Sequence, residues 1–363
     1  MSILDIPDLP MIKILENCNF MSLICLRKTC HNLRNFIDYL APETEVTCIE
    51  IKVLSNIIMM HLSDFSNCSP IMDVSYKKCS HGCELEYSNN SQEVIKCIKD
   101  ADFTDVFCMD LAVILRMQKM KLDRLQVSIK NTPKKEPKKI YKSTGLLSFL
   151  GCCSRSRSEP RDITEDLDSD KDLLSMCNQV YDTVEKTLQS RPLRVERMEL
   201  YATGERQLLQ ILPYTDSNVL NSLSIRCFPN QLDFYDDIDM EIDDLVKLKQ
   251  WRMLKKLWIY GFTLKGSIED FVHFEHVHVT FEVVTANDFL FVKEKFLTTP
   301  NLSKFCLYFD ALQDPENFNE TVGHPIYPNI DKWEFPINET NQYLSIDKRR
   351  NSFVFERKAF SSK

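Results

Sequence analysis

The sequence predicts an α+β multidomain protein with a short helical segment, an irregular α/β repeat domain and closing β hairpins. Three observations support this class: helical apolar spacing over residues 5–40, strand-like runs alternating with helical ones after residue 173, and period-two alternation near the C-terminus. With 363 residues, 44% of them hydrophobic, the chain can bury one large core or two modest ones. We therefore expect two or three structural units.

The apolar positions of residues 5–40 predict two or three short amphipathic helices. A break at Asn19 separates two runs, and Ser22 is the predicted cap of the second. The positions with helical spacing are Met11, Ile14, Leu15, Cys18, Leu23, Leu26, Cys30, Leu33 and Ile37. Helices this short cannot form a core alone, so another surface is expected to cover them.

Residues 43–130 are predicted to form a β-hairpin and helix region. Period-two runs start near Val46 and Ile71, and His81-Gly82 marks a hairpin turn. A helix is expected over residues 105–121, followed by a strand over residues 122–129.

Residues 131–172 are predicted to be a disordered charged linker. The segment is successively lysine- and proline-rich, Ser/Arg-rich and acidic, and it has few aromatic residues. Its paired Cys152 and Cys153 follow an apolar stub and precede arginines, a pattern compatible with acylation. Its serines are equally compatible with phosphorylation.

Residues 173–360 are predicted to form an irregular leucine-rich-repeat-like α/β stack of parallel strands with helices outside. The predicted strands are residues 194–201, 220–227, 254–260, 276–284 and 302–309. The predicted helices are residues 205–212, 241–250, a short piece near 269, and 286–297. Hairpin strands over residues 333–337, 343–347 and 353–357 are expected to cap the stack.

Composition disfavours several classes of function. A net charge of −8 disfavours a general nucleic-acid binder, and seven glycines without a Gly-rich phosphate motif disfavour the common nucleotide enzymes. No apolar run approaches the ~18 residues of a membrane span, and no signal peptide is evident. The 14 cysteines are therefore expected to be reduced, in a cytoplasmic and/or nuclear protein. No catalytic constellation is present, so we predict no enzyme and no cofactor.

Three histidines, His273, His276 and His278, are the strongest metal candidates. His276 and His278 share one face of a predicted strand, a spacing that can hold zinc. No cysteine or carboxylate at ligand spacing completes the set, and a strand with a polar face explains the pattern. We predict no metal site here. The Cys79–Cys83 pair lacks the second pair that a zinc site requires.

The N-terminal segment resembles the F-box family, on Ile6-Pro7, the Ile14-Leu15 pair, Leu23, Thr29-Cys30 and Leu33. The resemblance implies docking on a Skp-type adaptor and, through it, on a cullin. The residues implied to carry the docking are Ile6, Pro7, Ile14, Leu15, Leu23, Leu26, Cys30 and Leu33. The domain boundary is predicted at residue 42.

The rest of the chain resembles the FTH domain, which follows an F-box in the nematode F-box A group. The segments that carry this resemblance are residues 109–122, 209–214, 248–251 and 274–296, Trp333, and residues 353–357. The long charged linker departs from the usual compact form of this domain.

The leading hypothesis is a substrate-recognition adaptor of an SCF-type cullin–RING ubiquitin ligase, with the α/β domain binding an unknown target protein. The alternative is a ubiquitin-independent interaction scaffold, for example a cofactor of an RNA-binding protein. A third, weaker hypothesis is RNA binding through the Lys/Arg-rich linker, which lacks the interleaved aromatic residues of such binders. No direct nucleic-acid binding is expected.

Overall fold

The computed structural model describes residues 6–40, 42–64, 69–88, 93–130, 163–228, 238–326, 331–338 and 340–360. All statements below refer to these residues. The predicted acylation and RNA-binding positions, together with residues 131–162 of the predicted linker, lie outside them.

The chain begins with three short helices, α1 (Asp8–Glu16), α2 (Phe20–Arg27) and α3 (His31–Leu40). Pro10 lies in the first turn of α1, where a missing backbone N–H costs nothing. The side chain of Asn19 caps α2 by accepting from the Ser22 N–H at 2.8 Å. Asn19, three residues earlier than predicted, is therefore the cap. The Cys30 thiol accepts from the Leu33 N–H at 3.4 Å at the start of α3.

A five-stranded antiparallel region follows, and then a helix and a returning strand. The strands are β1 (Cys48–Leu54), β2 (Ile57–Asp64), β3 (Ser69–Cys79), β4 (Gly82–Ser88) and β5 (Glu93–Lys99). They are followed by α4 (Phe103–Met117) and β6 (Leu122–Ile129). The β3–β4 turn is the predicted hairpin, and it requires glycine. Gly82 has a φ of 132°, and a Cβ there would lie 2.2 Å from the Ile98 carbonyl oxygen.

The remaining elements are a mixture of helices and strands that ends in three successive strands. They are α5 (Ile163–Leu188), β7 (Val195–Ala202), α6 (Glu205–Leu209), β8 (Ser222–Cys227), β9 (Ile238–Glu241), α7 (Lys249–Met253), β10 (Lys256–Lys265), β11 (His276–Val284), α8 (Ala286–Thr298), β12 (Lys304–Leu312), α9 (Phe318–Val322), β13 (Lys332–Ile337), β14 (Gln342–Arg349) and β15 (Ser352–Ala359). Short 3-10 helices occupy Leu212–Tyr214 and Ile268–Phe271.

All of these strands belong to one mixed sheet, which in the described residues has 15 strands. Its centre is parallel, in the order β1, β6, β7, β8, β10, β11, β12, so that successive strands of the chain lie side by side. Antiparallel strands extend both ends: β2–β5 beyond β1, and β15, β14 and β13 beyond β12. The predicted α+β class is confirmed.

One face of the central sheet is the core. A continuous row of buried apolar residues crosses nine strands in register: Ile49, Leu125, Met198, Leu223, Leu257, Val277, Phe305, Phe355 and Ile346. Helices α4, α5 and α8 pack their apolar residues into the same core. The sheet is therefore covered by helices on this face.

The C-terminal end of the core is an aromatic cluster around Phe289 of α8. Its ring lies 5.1–5.5 Å from the rings of Phe318, Trp333, Phe353 and Phe355. Arg357 donates to the carbonyl oxygens of residues 296 and 299 at 2.6 and 2.8 Å, which satisfies the end of α8. This cluster joins the antiparallel strands to the parallel ones.

Two predicted boundaries differ from the structure. Helix α5 starts at Ile163, inside the predicted linker, because the apolar repeat Leu173, Cys177, Val180 and Val184 lets the helix pack on the sheet. The helix predicted over residues 241–250 is wrong. Strand β9 ends at Glu241, and α7 begins only at Lys249. Residues 243–247 between these elements form turns, and β9 pairs with the second half of β10.

Candidate adaptor-docking surface and the open sheet face

The three N-terminal helices enclose a small apolar cluster of their own. Its buried members are Met11, Leu15, Leu23, Leu33, Ile37 and Met117. The first five come from α1, α2 and α3, whereas Met117 is the last residue of α4. The surface that was expected to cover these helices is therefore supplied within the chain, by α4.

An ion pair between Arg27 and Asp38 holds α2 against α3. The guanidinium contacts both carboxylate oxygens, and the Nη2–Oδ2 distance is 2.7 Å. Arg34 adds a hydrogen bond of 3.2 Å from its Nε to the carbonyl oxygen of Arg27. The bidentate geometry fixes the angle between these two helices.

The N-terminal helices are also fastened to the strands that follow them. The N–H of Phe20 donates to both carboxylate oxygens of Glu45, at 3.1 and 3.2 Å. Gln118, directly after α4, donates to the carbonyl oxygen of Val46 at 3.0 Å, and Lys119 donates to that of Leu40. The contacts of Phe20 and Lys119 join the helices to the segments before β1 and after α4, and the contact of Gln118 joins those two segments to each other.

The outer surface of these helices exposes several apolar side chains. Leu9 is 76% exposed, Ile14 42% and Tyr39 86%. Pro7, which directly precedes α1, and Pro10 are also exposed, and they lie seven and four residues before Ile14, which is helical spacing. Exposed apolar side chains on so small a unit are candidates for a protein interface.

The structure divides the predicted docking residues into two groups. Leu15, Leu23 and Leu33 are buried in the helix cluster, and Ile6, Leu26 and Cys30 pack against it half-buried. Only Pro7 and Ile14 are exposed. The resemblance to the F-box family selected mostly residues that face the cluster, and it did not include Leu9 and Tyr39. The exposed α1 residues Pro7, Leu9, Pro10 and Ile14 are called the α1 surface below.

The second candidate surface is the face of the parallel sheet opposite to the core. Four side chains on neighbouring strands stack there in a row: Arg226, Tyr260, His278 and Tyr308. The Arg226 guanidinium carbon lies 4.5 Å from the Tyr260 ring centroid, and the ring centroids of His278 lie 4.4 Å from Tyr260 and 4.6 Å from Tyr308. All four are half-buried.

Basic residues accompany this row. Lys256, His276 and Lys304 are in register on β10, β11 and β12. Their side chains alternate with the buried residues of each strand, as the stacked residues do. We call this surface the aromatic–basic face, and its members are Arg226, Lys256, Trp258, Tyr260, His276, His278, Lys304, Cys306 and Tyr308.

The electrostatics of this face are positive. Burial and then the nearby Arg226 charge lower the pKa of His278 to about 4. Burial, Lys256 and Lys304 lower the pKa of His276, and Glu275 opposes them. Both imidazoles are therefore neutral at pH 7, and the positive charge comes from lysine and arginine.

The three histidines of the predicted cluster do not converge. The Nε2 of His273 lies 3.0 Å from the carbonyl oxygen of Trp251, whereas His278 stacks between two tyrosines. In the part of the chain that the structure describes, no group of three or more His, Cys, Asp or Glu residues has a geometry that could hold a metal ion.

Comparison with known families identifies the N-terminal helices. Residues 3–43 match the F-box domain, which covers α1, α2 and α3. This chain is therefore an F-box-containing protein. Residues 178–322 match the FTH domain, a range that runs from within α5 to the end of α9. The chain thus has an F-box domain followed by an FTH domain, and the predicted architecture is confirmed. The FTH-like segments proposed at residues 109–122, Trp333 and residues 353–357 lie outside the matched range.

No curated protein matches the chain. One solved structure, a propionate kinase from Francisella tularensis subsp. tularensis SCHU S4, is 14% identical over 23% of this chain and 21% of its own, with a TM-score of 0.18. A similarity this small carries no inference. Among the described residues, no helix is long and apolar enough to cross a membrane.

Proposed function

We propose that this chain is the substrate-recognition subunit of an SCF-type cullin–RING ubiquitin ligase, docking on a Skp-type adaptor through the α1 surface. The observation that carries the proposal is the F-box match over α1–α3, because this domain supports an SCF adaptor role in general terms. F-box and FTH domains are typical of adaptor proteins and not of enzymes.

The α1 surface supports the location of docking. Pro10 and Ile14 are exposed four residues apart on α1, beside Met11 and Leu15, which are buried in the cluster, and Leu9 is exposed further round the helix. A helix with one buried and one exposed apolar side can dock in a groove of a partner. Leu15, Leu23 and Leu33 then act indirectly, by holding α1 in position.

Catalysis by proximity is the proposed role of the assembly. An adaptor raises the effective concentration of a bound target near the ubiquitin-carrying subunits, and it needs no reactive group of its own. The contacts of Phe20 with Glu45 and of Lys119 with Leu40 join the helices to the segments before β1 and after α4, and both β1 and the strands of the FTH range belong to one sheet. A target held on the sheet would therefore keep a fixed position relative to the adaptor.

We further interpret the seven parallel strands as an irregular leucine-rich-repeat-like stack. Strand β6 follows β1 in the sheet, and β7, β8, β10, β11 and β12 follow in chain order. The helices cover one face and leave the other for a target. Each strand contributes its own outward residues to that surface.

The test is co-purification of the full chain with a Skp-type adaptor. Wild-type chain should form a stoichiometric complex, and Leu9→Asp with Ile14→Asp should abolish it. The exposed fractions of these side chains, 76% and 42%, make unfolding by the substitution a small effect. Charges at Leu15 or Leu23 are unsuitable because both residues are buried and the helices would unfold.

The matched control is Met253→Asp. Met253 is 49% exposed and lies on α7, far along the chain from the F-box. This variant introduces the same kind of charge and should retain the adaptor. If wild-type chain does not bind the adaptor, the proposal is wrong, and a stable target complex formed without it would favour the ubiquitin-independent scaffold.

A further inference from the structure

The aromatic–basic face is an unusual surface for this chain because it concentrates positive charge in a protein of net charge −8. Arg226 and Lys256 form no ion pair with any described residue, and Lys304 contacts Glu356 at 3.4 Å. The one outward carboxylate on β11 is Glu282, at the far end of that strand, and it pairs with Lys265. The surplus charge is available to a partner.

The spacing of the cations indicates what kind of anion fits. Lys256 and Lys304 are in register on strands separated by β11. Two strand spacings place their attachment points about 10 Å apart. Two anionic groups at a similar separation can each contact one of the two lysines. Carboxylates three residues apart on an extended peptide are also about 10 Å apart, which matches the two lysines.

The stacking disfavours a nucleic acid as the partner. Nucleobases bind open sheets by stacking on exposed aromatic ring faces. Here Tyr260 and Tyr308 cover the two faces of the His278 ring, and Arg226 covers the free face of Tyr260. The hydroxyl groups of Tyr260 and Tyr308 can donate hydrogen bonds to carboxylates and backbone carbonyls.

We propose that the aromatic–basic face binds an extended acidic segment of the target protein, with carboxylates on Lys256 and Lys304 and the peptide chain lying along the stacked row. The designation of this partner as a ubiquitination target rests on the proposed function. The binding surface itself does not depend on the adaptor.

The test measures binding of fluorescein-labelled synthetic peptides to the full chain by anisotropy. The probe is a pool with glutamate at two positions three residues apart in a Ser/Thr/Tyr background. We expect saturable binding that weakens with added salt, and at least about tenfold weaker binding of the same pool with glutamine in place of glutamate. Equal binding of both pools, or no binding, would overturn the proposal.

Variants locate the binding surface. Lys256→Glu and Lys304→Glu should each weaken binding of the glutamate pool about tenfold. The matched control is Lys52→Glu, an exposed lysine on β1 at the other end of the parallel strands, which should bind as wild type does. If Lys52→Glu weakens binding as much as the other two variants, the surface is assigned wrongly.

Two further probes separate the rival ligands. A phosphoserine pool without glutamate and a single-stranded RNA oligonucleotide should both bind more weakly than the glutamate pool. Tighter binding of either one, with loss in Lys256→Glu, would overturn the proposal in favour of that ligand.

Trp258 gives a readout that changes no charge. Its indole lies on the same face, so peptide binding should change the tryptophan fluorescence of the wild type but not of Trp258→Phe.

Peptide binding and adaptor binding are expected to be independent. The variants Lys256→Glu and Lys304→Glu should still co-purify with the adaptor. Loss of the adaptor from the wild type would therefore contradict the proposed function without affecting the peptide result.

Discussion

The two clusters of buried residues in this chain differ in size and in the origin of their members. The cluster of the N-terminal helices has six fully buried residues, and one of them, Met117, comes from α4. The core of the sheet joins strands and helices along almost the whole described chain. The difference indicates that the sheet is stable by its own packing, whereas the F-box helices depend on a helix outside their domain. The predictions below test that dependence.

The largest expected effect is in the sheet core. Phe289→Ala removes a ring that contacts four other aromatic rings, and large-to-small changes of this kind cost about 3–5 kcal/mol. Chemical unfolding followed by circular dichroism should show this loss in the main transition. A loss below about 1 kcal/mol would contradict the assignment of Phe289 to the centre of the core.

Met117→Ala should have the next largest effect, concentrated in the N-terminal helices. Loss of a buried methionine costs about 2–5 kcal/mol, and the small cluster has few other residues to compensate. Hydrogen exchange of α1–α3 should accelerate markedly more than that of β10 and β11. The matched control is Met109→Ala, because Met109 lies on the same helix but is 71% exposed. Equal exchange in both variants would disprove the dependence on α4.

A smaller effect is expected from the titration of His278 on the open face. Its folded-state pKa of about 4 lies below the value of about 6.5 expected in the unfolded chain. The unfolded state therefore binds more protons between these values, so stability is complete above pH 6.5 and falls as the pH drops towards 4. His278→Phe keeps a stacked ring and should reduce this pH dependence, as measured by melting temperature. An imidazole NMR titration midpoint near 6.5 would contradict the prediction.

The smallest effect is expected at the ion pair of α2 and α3. Arg27→Ala removes a contact to Asp38, whose side chain is 36% exposed. The free energy of unfolding should therefore fall by about 1 kcal/mol or less, and the difference from the wild type should shrink with added salt. Urea unfolding at low and high salt measures it. Adaptor binding should persist, because neither residue belongs to the α1 surface.

The sequence predicted the central elements well because their patterns are local. Strands β6 and β11 were predicted with the observed bounds, and the turn at His81-Gly82 was correct, since alternation and a glycine at positive φ are properties of short segments. β9 was not predicted, because it pairs with the part of β10 beyond Gly261, a residue that approaches Cys227 closely. Pairing between distant segments leaves no local signal.

The candidate sites were predicted less completely. The resemblance to the F-box family identifies apolar positions but not which of them the fold buries, so Leu15 and Leu23 were grouped with Ile14. The aromatic–basic face was missed because its members come from four strands. Only His276 and His278 were singled out, as metal candidates, since the register that aligns them with Lys256 and Lys304 exists only in the folded sheet.

The position of Met117 has a consequence for synthesis of the chain. The F-box helices leave the ribosome before α4 does, so their cluster is incomplete until the end of α4 has emerged. Met117 is held in place by a helix that itself packs against α5, which is made later still. The N-terminal helices therefore complete their fold after domains behind them have begun to form, contrary to the usual N-terminal-first order. An adaptor that recognises only folded helices would then select chains whose central part is already assembled.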